Sequence, residues 1–291
     1  MDEVAAERSV AFIGLGAIGL PMAQRLVGAG YPSTGVEVSP EAIERAAAAG
    51  VPAVRSLAEV PTASIVVVMV ASPVQLDELV TEALAGSVEG QRWVVMSTVG
   101  PEAVREQGSR LAEAGATVVD CPVTGGVAGA TTGELTLFAA GGADAVEALR
   151  EVLEHFGALR QVGERLGDGQ AIKLVNQHLC AVHIVAAAEA LALADRLQLD
   201  PATVLPLVER GAAGSWMLSD RGPRMLRGTE VDVTSAIGIF VKDSGLVADA
   251  AGRSGAHVPL LDVARERYRQ AAEAGLLARD DSRVIETYLA E

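Results

Sequence analysis

Residues 10–163 alternate short apolar, β-branched runs with stretches of helical spacing, and after about Gly163 the β-like runs stop. Few folds accept that order: repeated strand-helix units build a parallel sheet covered by helices, and a helical remainder has to bury its own apolar faces separately. The strand-like runs are 10–13, 33–38, 64–70, 92–97, 117–123 and 135–140, and their continuous apolar character suits strands buried on both faces. Helical composition fills 17–29, 41–49, 74–84, 102–114 and 144–155. A long segment, 169–197, is apolar around most of its circumference, which fits a central helix, and breaks follow near Asp200-Pro201, 211–214, Gly228 and 257–259.

Between the first strand and the first helix lies Gly14-Leu15-Gly16-Ala17-Ile18-Gly19. A bare GxGxxG is a weak signal, but in this context the glycines serve a tight turn, close approach of a pyrophosphate and packing of helix on sheet. Backbone N–H groups of the new helix then face the phosphates. The second strand ends at Val36-Glu37-Val38, about 20 residues on, where a carboxylate can accept bonds from ribose hydroxyls and Val38 offers no cation for a 2′-phosphate. NAD is therefore expected over NADP. Val70 and Thr98, at the carboxyl edge where ligands of open sheets collect, count with the cofactor contacts, although Ser97-Thr98 could equally cap the next helix. The expected fold is α/β: a Rossmann-type parallel-sheet domain over 1–165, then an all-helical substrate and oligomerisation domain over 166–291, joined by the long central helix.

Composition excludes some partners. With 23 Lys and Arg against 38 Asp and Glu, the net charge of −15 opposes nucleic acid and anionic membranes. Met1-Asp2-Glu3 lacks the basic-then-apolar order of a signal peptide, and 179–194 is interrupted by His183 and Glu189, so a soluble cytoplasmic protein is expected. Cys121 and Cys180 have no ligand-like spacing, and no metal is expected.

On the central helix Lys173, Asn176 and Gln177 stand at i, i+3 and i+4, hence on one face. By composition, a polar cleft and a snorkelling lysine beside two capping amides are equal readings. Chemistry tilts the balance: oxidising an alcohol by hydride transfer requires removal of its proton, which a desolvated lysine can accept, while Asn176 and Gln177 hold the substrate. Thr124-Gly125-Gly126, after the fifth strand, offers a hydroxyl and N–H groups to a carboxylate, or is simply a turn. Lys242-Asp243 reads as a solvated helix face.

Together these residues resemble the β-hydroxyacid dehydrogenase family, which includes 3-hydroxyisobutyrate dehydrogenase, over nearly the whole chain. Gly14 to Ala23 looks like its cofactor motif, Asp120-Cys121-Pro122-Val123-Thr124-Gly125-Gly126 its substrate motif, and Gly167-Asp168-Gly169 with Lys173 and Asn176 its catalytic motif. The resemblance implies that Lys173 is the catalytic lysine, that Lys242 lies near the cofactor, and that the protein forms a homodimer or homotetramer. Thr124 stands where serine is usual and Gln177 where a second asparagine is usual. Further segments, 173–193, Gly214-Ser215-Trp216-Met217 and Asp280-Asp281-Ser282, are similar to the L-threonate dehydrogenase branch, which implies a four-carbon sugar acid as substrate. The alternatives are a 3-hydroxyisobutyrate or 2-hydroxy-3-oxopropionate type of dehydrogenase or reductase and, from another class, a dinucleotide-binding sensor.

Overall fold

The computed structural model describes residues 7–61, 63–228 and 231–289, so the Met1-Asp2-Glu3 start lies outside the described residues. Two compact units meet within one helix, Met1–Lys173 and Leu174–Glu291.

The first unit contains β1 (Val10–Ile13), α1 (Gly19–Gly28), β2 (Ser33–Val36), α2 (Pro40–Ala48), β3 (Ala53–Val54), β4 (Ile65–Val68), α3 (Pro73–Ala83), β5 (Arg92–Val95) and α4 (Pro101–Glu113). It continues through β6 (Thr117–Asp120), β7 (Val123–Thr124), α5 (Gly126–Thr132), β8 (Leu135–Ala140), α6 (Ala143–Glu154) and β9 (Gly157–Gly163). The strand order is β3-β2-β1-β4-β5-β6-β8-β7, with β9 on β8. All neighbours from β3 through β6 are parallel, while β8 runs antiparallel to β6 and β7. Strand alternation explains the two covered faces: Phe12, Val67 and Val94 enter one core with Met22 and Leu26 of α1, whereas Ile13, Val66, Val68 and Trp93 enter another with Leu76 of α3 and Leu111 of α4. The expected single run 117–123 is two strands because Pro122 has no N–H to donate and interrupts the ladder.

Helix α7 (Asp168–Arg196) passes from the first unit into the second. Then follow α8 (Pro201–Val208), α9 (Trp216–Met225), α10 (Ile237–Ser254), α11 (Pro259–Ala271), a 3-10 turn (Asp281–Ile285) and α12 (Glu286–Leu289). In this unit Ala181, Ile184, Ala188 and Leu191 of α7 pack with Phe240 of α10 and Tyr268 of α11, whose hydroxyl donates to the Ala181 carbonyl at 3.1 Å. Buried Arg221 grips Asp281 with Nε and Nη2 at 3.0 and 2.9 Å, which ties α9 to the 3-10 turn. Among the described residues α7 alone is long and apolar enough to cross a membrane. Its buried apolar face and its hydrogen-bonded amides Gln170 and Gln177 make it a core helix of the folded chain.

Candidate active site

The glycine turn sits where the strand order reverses, between β1 and β4. Gly14 has φ of +91°, and a Cβ on Gly19 would lie 2.0 Å from the Gly14 carbonyl oxygen, so the turn closes only without side chains at these two positions. Gly16 differs, because a Cβ there would meet nothing within 4 Å. Packing within the protein therefore does not demand glycine at 16, and the space beside it stays open. Ile18, at the N-cap of α1, provides no side-chain cap, and the first turn carries no acidic residue. The uncapped N–H groups and the open space fit the pyrophosphate of a dinucleotide.

Glu37 stands at the end of β2, as its sequence position implies, and its carboxylate is already engaged. One oxygen accepts from the N–H of Leu15 at 3.0 Å, and the other from Val38 and Ser39 at 2.8 and 3.1 Å. This clasp explains why β2 ends at Val36 instead of running on to Val38. It also ties the glycine turn to the end of β2 and leaves one lone-pair site of the carboxylate, on Oε2, for a further donor. Val38 is 76 % exposed.

Asp120, Thr124 and the start of α7 lie within the first unit. Thr124 is in β7, paired with Thr136 of β8, and Gly125 and Gly126 open α5 with no side-chain cap. Asp120 is fully buried, and one oxygen accepts from the N–H groups of Gly167 and Gln170, both at 3.0 Å. A Cβ on Gly169 would sit 2.4 Å from the Phe138 carbonyl oxygen and 3.0 Å from the Asp120 carboxylate, so glycine lets the helix start reach the sheet edge. Burial pushes the Asp120 carboxyl up to about 6, against the lowering effect of the hydrogen bonds from Gln170, Gly167 and Gly169.

Lys173 is 7 % exposed, one turn along α7 from Gln170. In the second unit, Asn176 donates to Gln177 Oε1 at 2.9 Å, and Gln177 donates to Asp243 at 2.5 Å. Asp243 in turn pairs with Lys242 at 2.8 Å. Gln177, expected at the substrate, thus has two protein partners and keeps one N–H and one lone pair of its amide for a further contact. The Gln170 and Asp243 contacts were not anticipated. A polar residue in the first turn of an otherwise apolar helix was the available signal for Gln170, and the acidic neighbour of Lys242 for Asp243.

Comparison with known proteins places this geometry. Residues 9–167 match the family described as the NAD binding domain of 6-phosphogluconate dehydrogenase, and 167–288 that described as NAD-binding of NADP-dependent 3-hydroxyisobutyrate dehydrogenase. The chain belongs to the β-hydroxyacid dehydrogenase family. An L-threonate dehydrogenase of Cupriavidus necator is 37% identical across 97% of this chain and 96% of its own length. An NAD-dependent L-serine dehydrogenase of Pseudomonas aeruginosa is 31% identical across 94% and 96%. A crystal structure described as 3-hydroxyisobutyrate dehydrogenase from Salmonella typhimurium superposes with a TM-score of 0.87, at 31% identity, covering 96% of this chain and 99% of that one. The dehydrogenase is accordingly an NAD-binding oxidoreductase of a family acting on small hydroxy acids.

Proposed function

We propose that the protein oxidises a hydroxyl group of L-threonate, or of a closely similar four-carbon sugar acid, with NAD as oxidant and Lys173 as the proton-transfer residue. The observation that carries the reading is a lysine only 7 % exposed, one turn into a helix and on the same face as two amides, in a chain whose dinucleotide turn is kept open. Withdrawing an ammonium group from water is costly, and a site that uses the amine gives that cost a purpose.

A bound nicotinamide would supply the acceptor for the hydride that leaves the carbinol carbon. Lys173 Nζ takes the hydroxyl proton as the carbonyl forms, and returns it in the reverse direction. Asn176, next on that helix face, orients the substrate, and Gln177 holds Asn176 in register through the 2.9 Å bond. The Thr124 hydroxyl and the N–H groups of Gly125 and Gly126 hold the carboxylate. Glu37 receives the ribose hydroxyls and gives nothing to a 2′-phosphate, which supports NAD, with Val70, Thr98 and Lys242 as further cofactor contacts. In this division residues 1–165 bind the dinucleotide and 166–291 complete the substrate site and assemble subunits. The exposed Ile172, Val175, Leu179 and Leu193 on α7 support pairing with a second copy, to be measured by sedimentation.

The second reading, a 3-hydroxyisobutyrate type of dehydrogenase, draws support from the fold match and from the family description over 167–288. A panel of hydroxy acids with NAD, read by absorbance of the reduced nicotinamide, separates them. L-threonate is expected to be turned over with the highest kcat/KM; robust turnover of 3-hydroxyisobutyrate or glycerate without L-threonate would reject the first reading.

A further inference from the structure

Gln170 is completely buried and uses both ends of its amide. Its oxygen accepts from the N–H groups of Val99 and Gly100, both at 3.0 Å. Its nitrogen donates to the Ser97 carbonyl at 2.9 Å and to the second oxygen of Asp120 at 3.0 Å. Asp120, equally buried at the end of β6, gives its first oxygen to the N–H groups of Gly167 and Gln170. Two side chains thereby join four places: the loop after β5, the end of β6, the turn before α7, and the first turn of α7.

A carboxylate deprived of water is costly to bury, and the pair offsets that cost by partnering the N–H groups of Val99, Gly100, Gly167 and Gln170. Two of the four places also carry residues of the proposed site. The loop carries Thr98, and Lys173 follows Gln170 by three residues, a rise of about 4.5 Å on the same side of the helix. We infer that Asp120 and Gln170 are positioning residues that fix Lys173 and the Ser97 to Gly100 loop in one rigid frame. The inference rests on the proposed role of Lys173. A buried network in which the amide's donors and acceptors all have partners tolerates one orientation only, and small displacements of a proton-transfer group cost rate more than affinity.

The test reverses the polarity of the pair. In Gln170→Glu the residue loses its donors and faces Asp120 with like charge; in Asp120→Asn two amide donors face one another. Each single variant is expected to lose kcat by at least about tenfold, with KM and NAD affinity changed far less. The combined Asp120→Asn and Gln170→Glu variant regains part of that loss, because the amide nitrogen introduced at position 120 can donate to the carboxylate introduced at position 170, while the amide oxygen still accepts from the helix start. Wild-type kcat in the single variants, or a loss of kcat that the reversed pair does not recover, overturns the inference. If the singles do not fold, Gln170→Asn decides: it keeps an amide but falls one methylene short of Ser97, and wild-type kcat in it is again contradictory. Lys173→Ala, measured alongside, separates the two levels. Retained turnover in Lys173→Ala overturns the proposed base, whereas an inactive Lys173→Ala beside a fully active Gln170→Glu overturns only the frame.

Discussion

Two helices, α1 and α7, begin in the first unit at the edge of the same sheet and are treated in opposite ways. At α1 the N-cap residue offers no side-chain cap, and the space beside Gly16 is empty of protein. At α7 the opening N–H groups are met by a buried carboxylate, reinforced by an amide that reaches back to the loop after β5. Both ends have the same unsatisfied donors and the same dipole. The difference is in what completes them. On the proposed function, the helix start that the dinucleotide's phosphates would complete stays open, and the one that would hold the proton-transfer lysine still is closed from within.

Substitutions at the two ends can break this contrast. The largest effect is expected for Gly19→Val, whose Cβ would overlap the Gly14 carbonyl: stability measured by urea unfolding should fall by about 3 kcal/mol or more. Gly16→Ala should do the reverse, leaving stability within about 0.5 kcal/mol while titration calorimetry shows NAD affinity weakened by about tenfold or more, because the added Cβ meets no protein atom within 4 Å and stands where the dinucleotide would approach. Unchanged affinity would mean that the open end of α1 is not the phosphate site. Glu37→Ala with Val38→Arg should shift the kcat/KM ratio toward NADP by roughly tenfold, as a carboxylate is exchanged for a cation at the ribose.

The closed end answers to pH instead of to ligand. The Asp120 carboxyl titrates at about 6 in the folded chain against 3.8 as its ordinary value, so the folded state holds the proton more tightly. The contribution is fully present below pH 3.8 and is lost as pH rises through 6, so stability falls across that window. Asp120→Asn should remove this slope from a series of unfolding curves between about pH 4 and 6.

The same contrast governs what the sequence made legible. The open end is written in local spacing: Gly14, Gly16 and Gly19 between an apolar run and a helix, with Glu37 at the next strand end. β1 and β8 were readable to the residue because runs rich in apolar residues end at glycine or polar neighbours. The closed end is a tertiary arrangement. Asp120 and Gln170 are 50 positions apart, and no local pattern pairs them. The two-residue β3 is too short to show a period, and β9 carries exposed Arg160 and Gln161, so neither presents the apolar run of a buried strand. On the shared helix, Lys173, Asn176 and Gln177 were legible as a polar face, but the commitment of Gln177 to Asp243 depends on α10, far along the chain.

Lys173 joins the two themes, binding at one end and chemistry at the other, and one comparison tests it most directly: turnover of L-threonate and affinity for NAD, both measured on wild type and Lys173→Ala. The expected result is a fall in kcat by about 10²- to 10⁴-fold with the NAD dissociation constant little changed. Turnover that survives the loss of the amine, or a loss of NAD binding that accounts for the whole fall in rate, would contradict the account.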